Sequence, residues 1–187
     1  MLPASKMDLG YALLRPILFR TDPERAHRLT LRAAAALGRD PVLRELARTT
    51  YAPEPSPALE IEAFGLRFAH PLGLAAGLDK DGEAIEAWAA IGLAFLELGT
   101  VTPGAGQPGN EPPRLARLAK SRAVVNRLGF PNRGAEELAR RLAGRETMIP
   151  VGANIGKAKR TPNDHALADY LQCLRAVFDD ADYVAVN

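Results

Sequence analysis

The sequence has 187 residues, of which 47% are hydrophobic, 25% charged and 6% aromatic, as in folded globular proteins and unlike disordered or collagen-like chains. The single cysteine, Cys173, excludes an internal disulfide and a multi-thiolate metal site. No stretch approaches the roughly 18 apolar residues of a membrane-spanning helix. No secretory signal pattern opens the chain.

The net charge of +2 is unevenly distributed along the chain. Residues 1–50 contain nine Lys/Arg and five Asp/Glu, whereas residues 51–187 contain fifteen and seventeen. A basic excess in an apolar, helical segment suits an anionic membrane surface, although a solvated helical face is the alternative. Nucleic acid is not expected as a partner, because no dense Lys/Arg cluster with interleaved aromatic residues occurs.

Helix starts are predicted where a capping side chain precedes a proline. Such a side chain accepts from backbone N–H groups, and proline has no N–H to lose at the first helical position. The pairs are Asp22-Pro23, Asp40-Pro41 and Thr161-Pro162, which predict helices over 23–37, 41–49 and 162–178. An earlier amphipathic helix is predicted over 8–19, with a bend or boundary at Pro16.

A proline-rich connector, Ala52–Pro57, predicts a boundary between a helical segment, 1–52, and a second unit, 53–187. The second unit opens with a predicted hairpin around Phe64-Gly65. Short apolar runs then alternate with helical stretches, which favours an α/β fold with a parallel sheet and crossover helices. The strand candidates are Leu72–Ala75, Phe95–Leu98, Ile149–Asn154 and Tyr183–Val186, and the helix candidates are Gly82–Ile91, Arg133–Ala143 and Pro162–Phe178.

Four such strands are half of the eight strands in a closed (β/α)₈, or TIM, barrel. Asn187 follows a strand candidate with no helix after it, and a parallel edge strand needs a neighbour or a cover. We therefore expect the chain to be the amino-terminal part of a longer protein, comprising about the first half of a barrel behind an amino-terminal helical extension.

Polar residues cluster where the predicted strands and the loop between them end. They are Lys80, Thr100, Asn126, Asn154 and Asn187, and carboxyl ends of parallel strands meet at one face. Amides both donate and accept, so several of them suit the edge of a uracil-like ring or an isoalloxazine. No metal-ligand spacing or carboxylate pair occurs, so an organic cofactor is favoured, with simple helix capping as the alternative.

Two further motifs are interpreted as structural. Gly104–Gly109 matches G-x-G-x-x-G, but Pro108, Pro112 and Pro113 prevent the helix that a dinucleotide site needs, so a long loop is predicted. His70 and His165 are expected to be surface or capping residues. His27 lies in the basic amphipathic segment and, from the residues alone, is also interpreted as structural.

Taken together, these motifs resemble the class 2, quinone-dependent and membrane-associated dihydroorotate dehydrogenases. The order and spacing of the motifs match across almost the whole chain. The matching stretches are Asp22–His27, His70–Gly82, Glu97–Pro103, Gln107–Asn110, Pro113–Leu118, Val125–Phe130, Asn154–Lys157 and Tyr183–Asn187.

The resemblance implies a TIM barrel that binds FMN and oxidises dihydroorotate to orotate in pyrimidine biosynthesis, with a quinone as final electron acceptor. Implied FMN contacts are Ala76, Gly77, Leu78, Asp79, Lys80, Thr100, Asn154 and Asn187. Implied dihydroorotate or orotate contacts are Lys80, Asn126, Arg127, Leu128, Gly129, Phe130 and Asn187. His27 and Arg117 match quinone-site positions, which changes the interpretation of His27 from structural to functional.

In this class a serine base follows the position that matches Asn187, and residues 1–50 form a membrane-facing lid around a quinone tunnel. The resemblance therefore implies a peripheral protein on the cytoplasmic face of the cell membrane, with no catalytic base in the 187 residues. We expect this chain alone to be inactive and to copurify with little or no FMN.

Three alternatives remain open from the sequence. A soluble dihydroorotate dehydrogenase class uses a cysteine base, but it lacks the helical extension seen in residues 8–50. A truncated half-barrel could serve interaction or membrane binding without catalysis. An isomerase or aldolase could use Lys80 as a Schiff base, although Asp79 and Asp81 are expected to raise the pKa of this lysine.

Overall fold

The computed structural model describes the backbone of residues 6–187 and the side chains from residue 11 onward. The first five residues of the predicted membrane segment lie outside this range. The helices are α1 Lys6–Arg20, α2 Pro23–Arg39, α3 Pro41–Tyr51, α4 Ile85–Ala90, α5 Ala135–Ala143 and α6 Ala166–Val177. The strands are β1 Ile61–Ala63, β2 Leu66–Phe68, β3 Leu96–Val101, β4 Leu115–Leu118, β5 Ala123–Asn126, β6 Val151–Ile155 and β7 Tyr183–Val186.

Two of the three predicted caps are confirmed. The Asp22 carboxylate accepts from the Arg25 N–H at 2.8 Å, and Asp40 accepts from the N–H groups of Val42 at 2.9 Å and Leu43 at 3.0 Å. The third prediction is wrong, because the chain after Thr161 first winds into a 3₁₀ turn, Asn163–His165, before α6 begins without a side-chain cap. Helix α1 continues through Pro16.

A parallel sheet forms the centre of the α/β unit. Strand β3 pairs with β6 and β6 pairs with β7, all parallel, and Leu74 adds a parallel bridge to Leu96 on the other side of β3. Sequence order therefore equals spatial order, as repeated β–α crossovers produce. The prediction of a strand over 72–75 is only partly correct, because its ladder pairing is limited to that bridge. The fully buried side chains around the sheet are Leu96, Leu98, Val101, Leu138, Leu142, Val151, Cys173 and Val177.

Two antiparallel hairpins flank this sheet. The predicted hairpin is confirmed as β1–β2, with Phe64 and Gly65 both at positive φ in its turn. The second hairpin, β4–β5, pairs Leu115 with Asn126 through to Leu118 with Ala123, and it was not predicted. This second hairpin brings Asn126 and the loop after it to the candidate site.

The extension is attached to the α/β unit through α2. Its Ala35 packs with Ala84 and Ala87 around α4, and a Cβ atom on Gly38 would lie 3.0 Å from the Ala87 backbone nitrogen. The apolar face of α2 is thus buried in the fold, whereas α1 leaves its apolar side chains exposed. No helix within residues 6–187 has the length and apolar character needed to cross a bilayer.

An ion pair also joins α2 to the β4–β5 hairpin. Arg114 donates from Nη2 to Glu24 Oε1 at 2.6 Å and from Nε to Oε2 at 3.1 Å. This hydrogen bonding lowers the pKa of Glu24 from its ordinary value of 4.5, against the opposing effect of partial burial. The pair stabilises the contact between extension and barrel unit only while Glu24 is ionised.

We expect Glu24→Gln to lower the free energy of unfolding at pH 7 by about 1.5 kcal/mol. Because the folded-state pKa of Glu24 is lowered, its contribution is complete above the unfolded value of 4.5 and is lost as the pH falls through the folded value. Urea denaturation from pH 7 to pH 3 should therefore show the two proteins converging below pH 4.5. The exposed Glu54→Gln is the control, and a difference that persists unchanged at pH 3 contradicts the assignment.

Candidate active site

The loop after Leu74 is held in place by the side chain of Asp79. This carboxylate is 1% exposed and accepts from the backbone N–H groups of Glu83 at 2.7 Å and Ala84 at 2.9 Å, and from Trp88 Nε1 at 2.9 Å. All three donors belong to α4 or the residues leading into it. The Asp79 carboxylate therefore anchors the loop, and the contact of this residue with FMN stays a prediction.

Lys80 is directed to the open side of the same loop. Its Nζ donates to the Gly77 carbonyl oxygen at 2.7 Å, and the side chain is partly buried. Burial lowers the pKa of this lysine, even though the negative charges of Asp81 and Asp79 act in the opposite direction. The carboxylates thus act in the predicted direction, but the predicted net rise of the Lys80 pKa is wrong, because desolvation outweighs their attraction.

Thr100, Asn154 and Asn187 meet in one hydrogen-bonded row at the carboxyl ends of β3, β6 and β7. Thr100 Oγ1 donates to Asn154 Oδ1 at 2.6 Å and accepts from Asn187 Nδ2 at 2.7 Å. Asn154 Nδ2 donates to Glu97 Oε1 at 2.8 Å. An ionised carboxylate only accepts, so Glu97 fixes the orientation of the Asn154 amide and, through Thr100, that of Asn187.

A cleft of about 500 Å³ opens above this row. All seven residues predicted to contact dihydroorotate or orotate line it. The lining consists of Ala76, Gly77, Lys80, Thr100, Asn110, Asn126, Arg127, Leu128, Gly129, Phe130 and Asn187. Of the predicted FMN contacts, Asn154 lies behind Thr100, and Leu78 and Asp79 line a neighbouring cleft instead.

Asn110 belongs to the cleft but was not predicted as a site residue. Its Nδ2 donates to the Arg127 carbonyl oxygen at 2.6 Å, and its Oδ1 accepts from Lys159 Nζ at 2.6 Å. Gln107 acts similarly, since its Nε2 donates to the Gly129 carbonyl oxygen at 2.9 Å and its Oε1 accepts from the Lys159 N–H at 2.9 Å. The proline-rich loop thus ties together the two loops that border the cleft.

His27 lies in the neighbouring cleft, between α2 and the loop that carries Lys80. Its Nε2 is 2.7 Å from the Leu78 carbonyl oxygen. This second cleft measures about 360 Å³, and Lys80 and Leu128 line both clefts. Lys80 and Leu128 therefore form a boundary that the cleft beside the helical extension shares with the predicted substrate site.

Arg117 lies elsewhere, in a groove of about 410 Å³ between α1 and the β4–β5 hairpin. Its Nη1 donates to the Thr21 carbonyl oxygen at 2.7 Å, and its guanidinium lies 5.1 Å from the centre of the Phe19 ring. The structure thus places the two predicted quinone residues in separate cavities, because the α1–α2 junction holds Arg117 away from His27.

The remaining predicted features are structural here. His70 Nε2 is 2.9 Å from the Gly92 carbonyl oxygen, and His165 is exposed at the start of α6. Cys173 is fully buried, and burial raises the pKa of its thiol to about 12. A thiol with that pKa stays protonated at neutral pH, so Cys173 acts here as a buried core residue.

The role of Glu97 gives a stability prediction. Glu97→Leu removes the acceptor of the buried Asn154 amide, so we expect the free energy of unfolding to fall by about 1–3 kcal/mol. Glu97→Gln keeps an acceptor oxygen and should cost about half as much or less. Urea denaturation of both variants measures the difference, and equal losses would show that the hydrogen bond to Asn154 is not what Glu97 contributes.

Comparison with known proteins identifies the family. Residues 58–187 match the family described as dihydroorotate dehydrogenase. The chain is 49% identical over 181 residues to "Dihydroorotate dehydrogenase (quinone)" of Gloeobacter violaceus, covering 97% of this chain and 50% of that protein. It is 49% identical over 180 residues to the protein of the same name from Mycobacterium marinum, covering 95% and 49%. This chain belongs to the dihydroorotate dehydrogenase family.

The fold agrees with this assignment. The crystal structure of the enzyme from Eimeria tenella in complex with ferulenol superposes with a TM-score of 0.74 at 38% sequence identity. The match covers 89% of this chain and 43% of the Eimeria chain. The chain spans about half the length of the curated relatives it matches.

Proposed function

We propose that the product of the coding sequence containing this chain oxidises dihydroorotate to orotate, with FMN as hydride acceptor and a quinone as final electron acceptor. The observation that carries the proposal is the cleft of about 500 Å³, which is lined by the partly buried Lys80 and by the amide side chains of Asn110, Asn126 and Asn187. Relatives named dihydroorotate dehydrogenase (quinone) support the same reaction.

The donor set of the cleft fits FMN. The backbone of Ala76 and Gly77, the hydroxyl of Thr100 and the amide of Asn187 line one side of it, and Lys80 supplies a positive charge at its edge. Gly77 has φ +110 and no atom within 4 Å of where a Cβ would lie, so a flat ring has room to approach the backbone. When bound, the flavin supplies the hydride-accepting ring that amino-acid side chains lack.

The substrate-facing residues would then hold an anionic pyrimidine against that ring. Asn126 is the last residue of β5, and the loop from Arg127 to Phe130 borders the cleft. Asn132 fixes this loop, since its buried Nδ2 donates to the Phe130 carbonyl oxygen at 2.8 Å. Lys80 would attract the substrate carboxylate and oppose the build-up of negative charge nearby.

The helical extension fits the quinone side of the reaction. His27 lies in a cleft that shares Lys80 and Leu128 with the substrate cleft. Helix α1 exposes apolar side chains that an anionic bilayer could cover, so we include peripheral attachment of residues 1–50 to the cytoplasmic face of the cell membrane in the proposal. We also propose that the sheet forms the first part of a TIM barrel, since its parallel strands follow in sequence order.

The test uses the full product of the coding sequence. We expect it to retain FMN and to form orotate from dihydroorotate with a ubiquinone analogue as acceptor. Asn126→Ala should raise the KM for dihydroorotate by about tenfold, whereas the exposed Asn163→Ala should change it less than twofold. Retained flavin without orotate formation, or equal effects of the two substitutions, contradicts the proposal.

A further inference from the structure

Arg114, the residue before β4, connects the helical extension to a segment beside the substrate cleft. Its side chain is only 13% exposed. Nε and Nη2 donate to the two carboxylate oxygens of Glu24, while Nη1 donates to the carbonyl oxygens of Pro108 at 2.7 Å and Asn110 at 2.8 Å. A guanidinium has five N–H donors in one plane, so four hydrogen bonds to two partners leave Arg114 little freedom. We refer to its second partner as the 108–110 segment.

The 108–110 segment lies directly against the loop Arg127–Phe130, which borders the substrate cleft. The Asn110 N–H donates to the Leu128 carbonyl oxygen at 2.9 Å, and Asn110 Nδ2 donates to the preceding carbonyl oxygen at 2.6 Å. A Cβ atom on Gly129 would lie 2.7 Å from Asn110 Cγ, so no further side chain fits between the two segments. A displacement of the 108–110 segment would therefore displace the loop as well.

The other end of this connection lies in the extension. Glu24 is in the first turn of α2 and does not line the cleft of about 500 Å³. Its two oxygens accept from two nitrogens of Arg114, and such a bidentate contact fixes the plane of the guanidinium as well as its distance. The direction in which Nη1 points at the 108–110 segment therefore depends on where α2 lies.

We propose that Arg114 is a positioning residue for the binding of dihydroorotate and orotate, because it holds the loop Arg127–Phe130 in place through the 108–110 segment while Glu24 keeps it oriented. This inference rests on the proposed function and adds to it a residue outside the cleft lining. The helical extension thereby influences the affinity of the substrate cleft, although it contributes no side chain to the lining of that cleft.

A second ion pair between the extension and the α/β unit provides an internal comparison. Arg44 on α3 donates from Nη1 to Glu146 Oε2 at 2.6 Å, and the same nitrogen lies 3.8 Å from Glu86 Oε2. Neither glutamate lines the substrate cleft. Weaker attachment of the extension would result from changing either arginine, whereas displacement of the substrate loop would result only from changing Arg114.

The test uses the full product of the coding sequence with FMN bound, and orotate binding is measured from the change in flavin absorbance. Arg114→Lys keeps the charge but cannot keep a bidentate contact and two carbonyl contacts together. We expect the Kd for orotate and the KM for dihydroorotate to rise by about tenfold, since a small misplacement by a distant substitution can cost up to about 100-fold. The limiting rate of flavin reduction at saturating dihydroorotate should stay within about threefold, because Lys80 is unchanged.

Two further variants separate positioning from attachment. Glu24→Gln should raise the Kd for orotate by about threefold, although this residue lies in the extension and outside the cleft lining. The matched control, Arg44→Lys, should change that Kd by less than about twofold. Hydrogen exchange of the peptide that spans residues 107–130 should become faster in Arg114→Lys and stay unchanged in Arg44→Lys, and thermal melting verifies that each variant is folded.

Equal effects of Arg114→Lys and Arg44→Lys on orotate binding overturn the proposal, as does a lower limiting rate with unchanged affinity. If Arg114→Lys does not fold, Glu24→Gln decides, and an unchanged Kd for orotate in that variant refutes the connection. Failure of the proposed function is a different result, in which the unsubstituted gene product forms no orotate from dihydroorotate. Hydrogen exchange in the same variants then still decides whether Arg114 holds the loop.

Discussion

Replacing Lys80 with methionine is expected to lower kcat for dihydroorotate oxidation by about 100- to 1,000-fold in the full gene product. Lys80 is the cation of the 500 Å³ cleft that comes from the strand-end loop, and its burial makes its charge act in a medium of low polarity. Methionine has similar length without the charge, so the loss reports electrostatics. Stopped-flow reduction of the bound flavin by dihydroorotate measures it.

The exposed Lys120→Met is the matched control and should leave flavin reduction within twofold of the unchanged protein. Because the pKa of Lys80 is lowered by burial, the rate should fall at a lower pH than the titration of an ordinary lysine would give. Flavin content is measured in parallel. A Lys80→Met protein that holds FMN and turns over normally contradicts the assigned role.

Replacing Asp79 with alanine is expected to lower the free energy of unfolding of this chain by about 3 kcal/mol. The substitution leaves two backbone N–H groups at the start of α4 and the Trp88 indole without their acceptor. Because the site is almost completely buried, water does not replace the carboxylate freely. Urea denaturation with an unchanged m-value gives the difference directly.

Two comparisons separate this effect from a general loss of charge. Trp88→Phe removes one of the three donors and should cost about 1 kcal/mol. Asp164→Ala, at a side chain that is 78% exposed, should cost less than about 0.5 kcal/mol. If Asp79→Ala is no worse than Asp164→Ala, the anchoring role of Asp79 is refuted.

Local sequence signals identified most of the helices and the order of the sheet. Asp22 and Asp40 cap their helices because a short carboxylate reaches the free N–H groups of the first turn, and the proline that follows has no N–H to leave unpaired. Thr161 carries the same signal, yet its carbonyl oxygen accepts from Lys157 Nζ and a 3₁₀ turn follows. A local contact four residues back along the chain therefore accompanies the loss of the predicted cap.

The β4–β5 hairpin was not predicted, because its turn lacks the residues that usually mark a hairpin. Its turn contains no glycine or asparagine, and Arg122 adopts φ +49, a conformation that those two residues usually supply. Pairing of Arg117 with Val124 and contact with α1 and α2 stabilise the turn instead. Such a turn is not visible in the sequence alone.

Some residues of the candidate site could be predicted from the sequence and others could not. Lys80, Thr100, Asn154 and Asn187 could be predicted, because parallel strands in sequence order bring their carboxyl ends to one face. Asn110 stands in one of the stretches that match the family, but its place at the cleft was not predicted, because it belongs to a long loop whose position depends on hydrogen bonds to the loops on either side. The separation of His27 from Arg117 likewise depends on how α1 meets α2.

The direction of the hydrogen bonds that begin at Glu97 has a consequence for ligand choice. The two N–H groups of Asn187 Nδ2 are directed at Thr100 Oγ1, 2.7 Å away, and at Asn154 Oδ1, 3.5 Å away, so Oδ1 is the side-chain atom that Asn187 can offer to a ligand. A lone pair at that point favours the lactam tautomer of a ring, whose nitrogen carries a hydrogen, and disfavours a lactim or an amidine that presents a bare nitrogen. One acidic side chain beneath the cleft thereby sets the protonation pattern that a heterocycle must display above it.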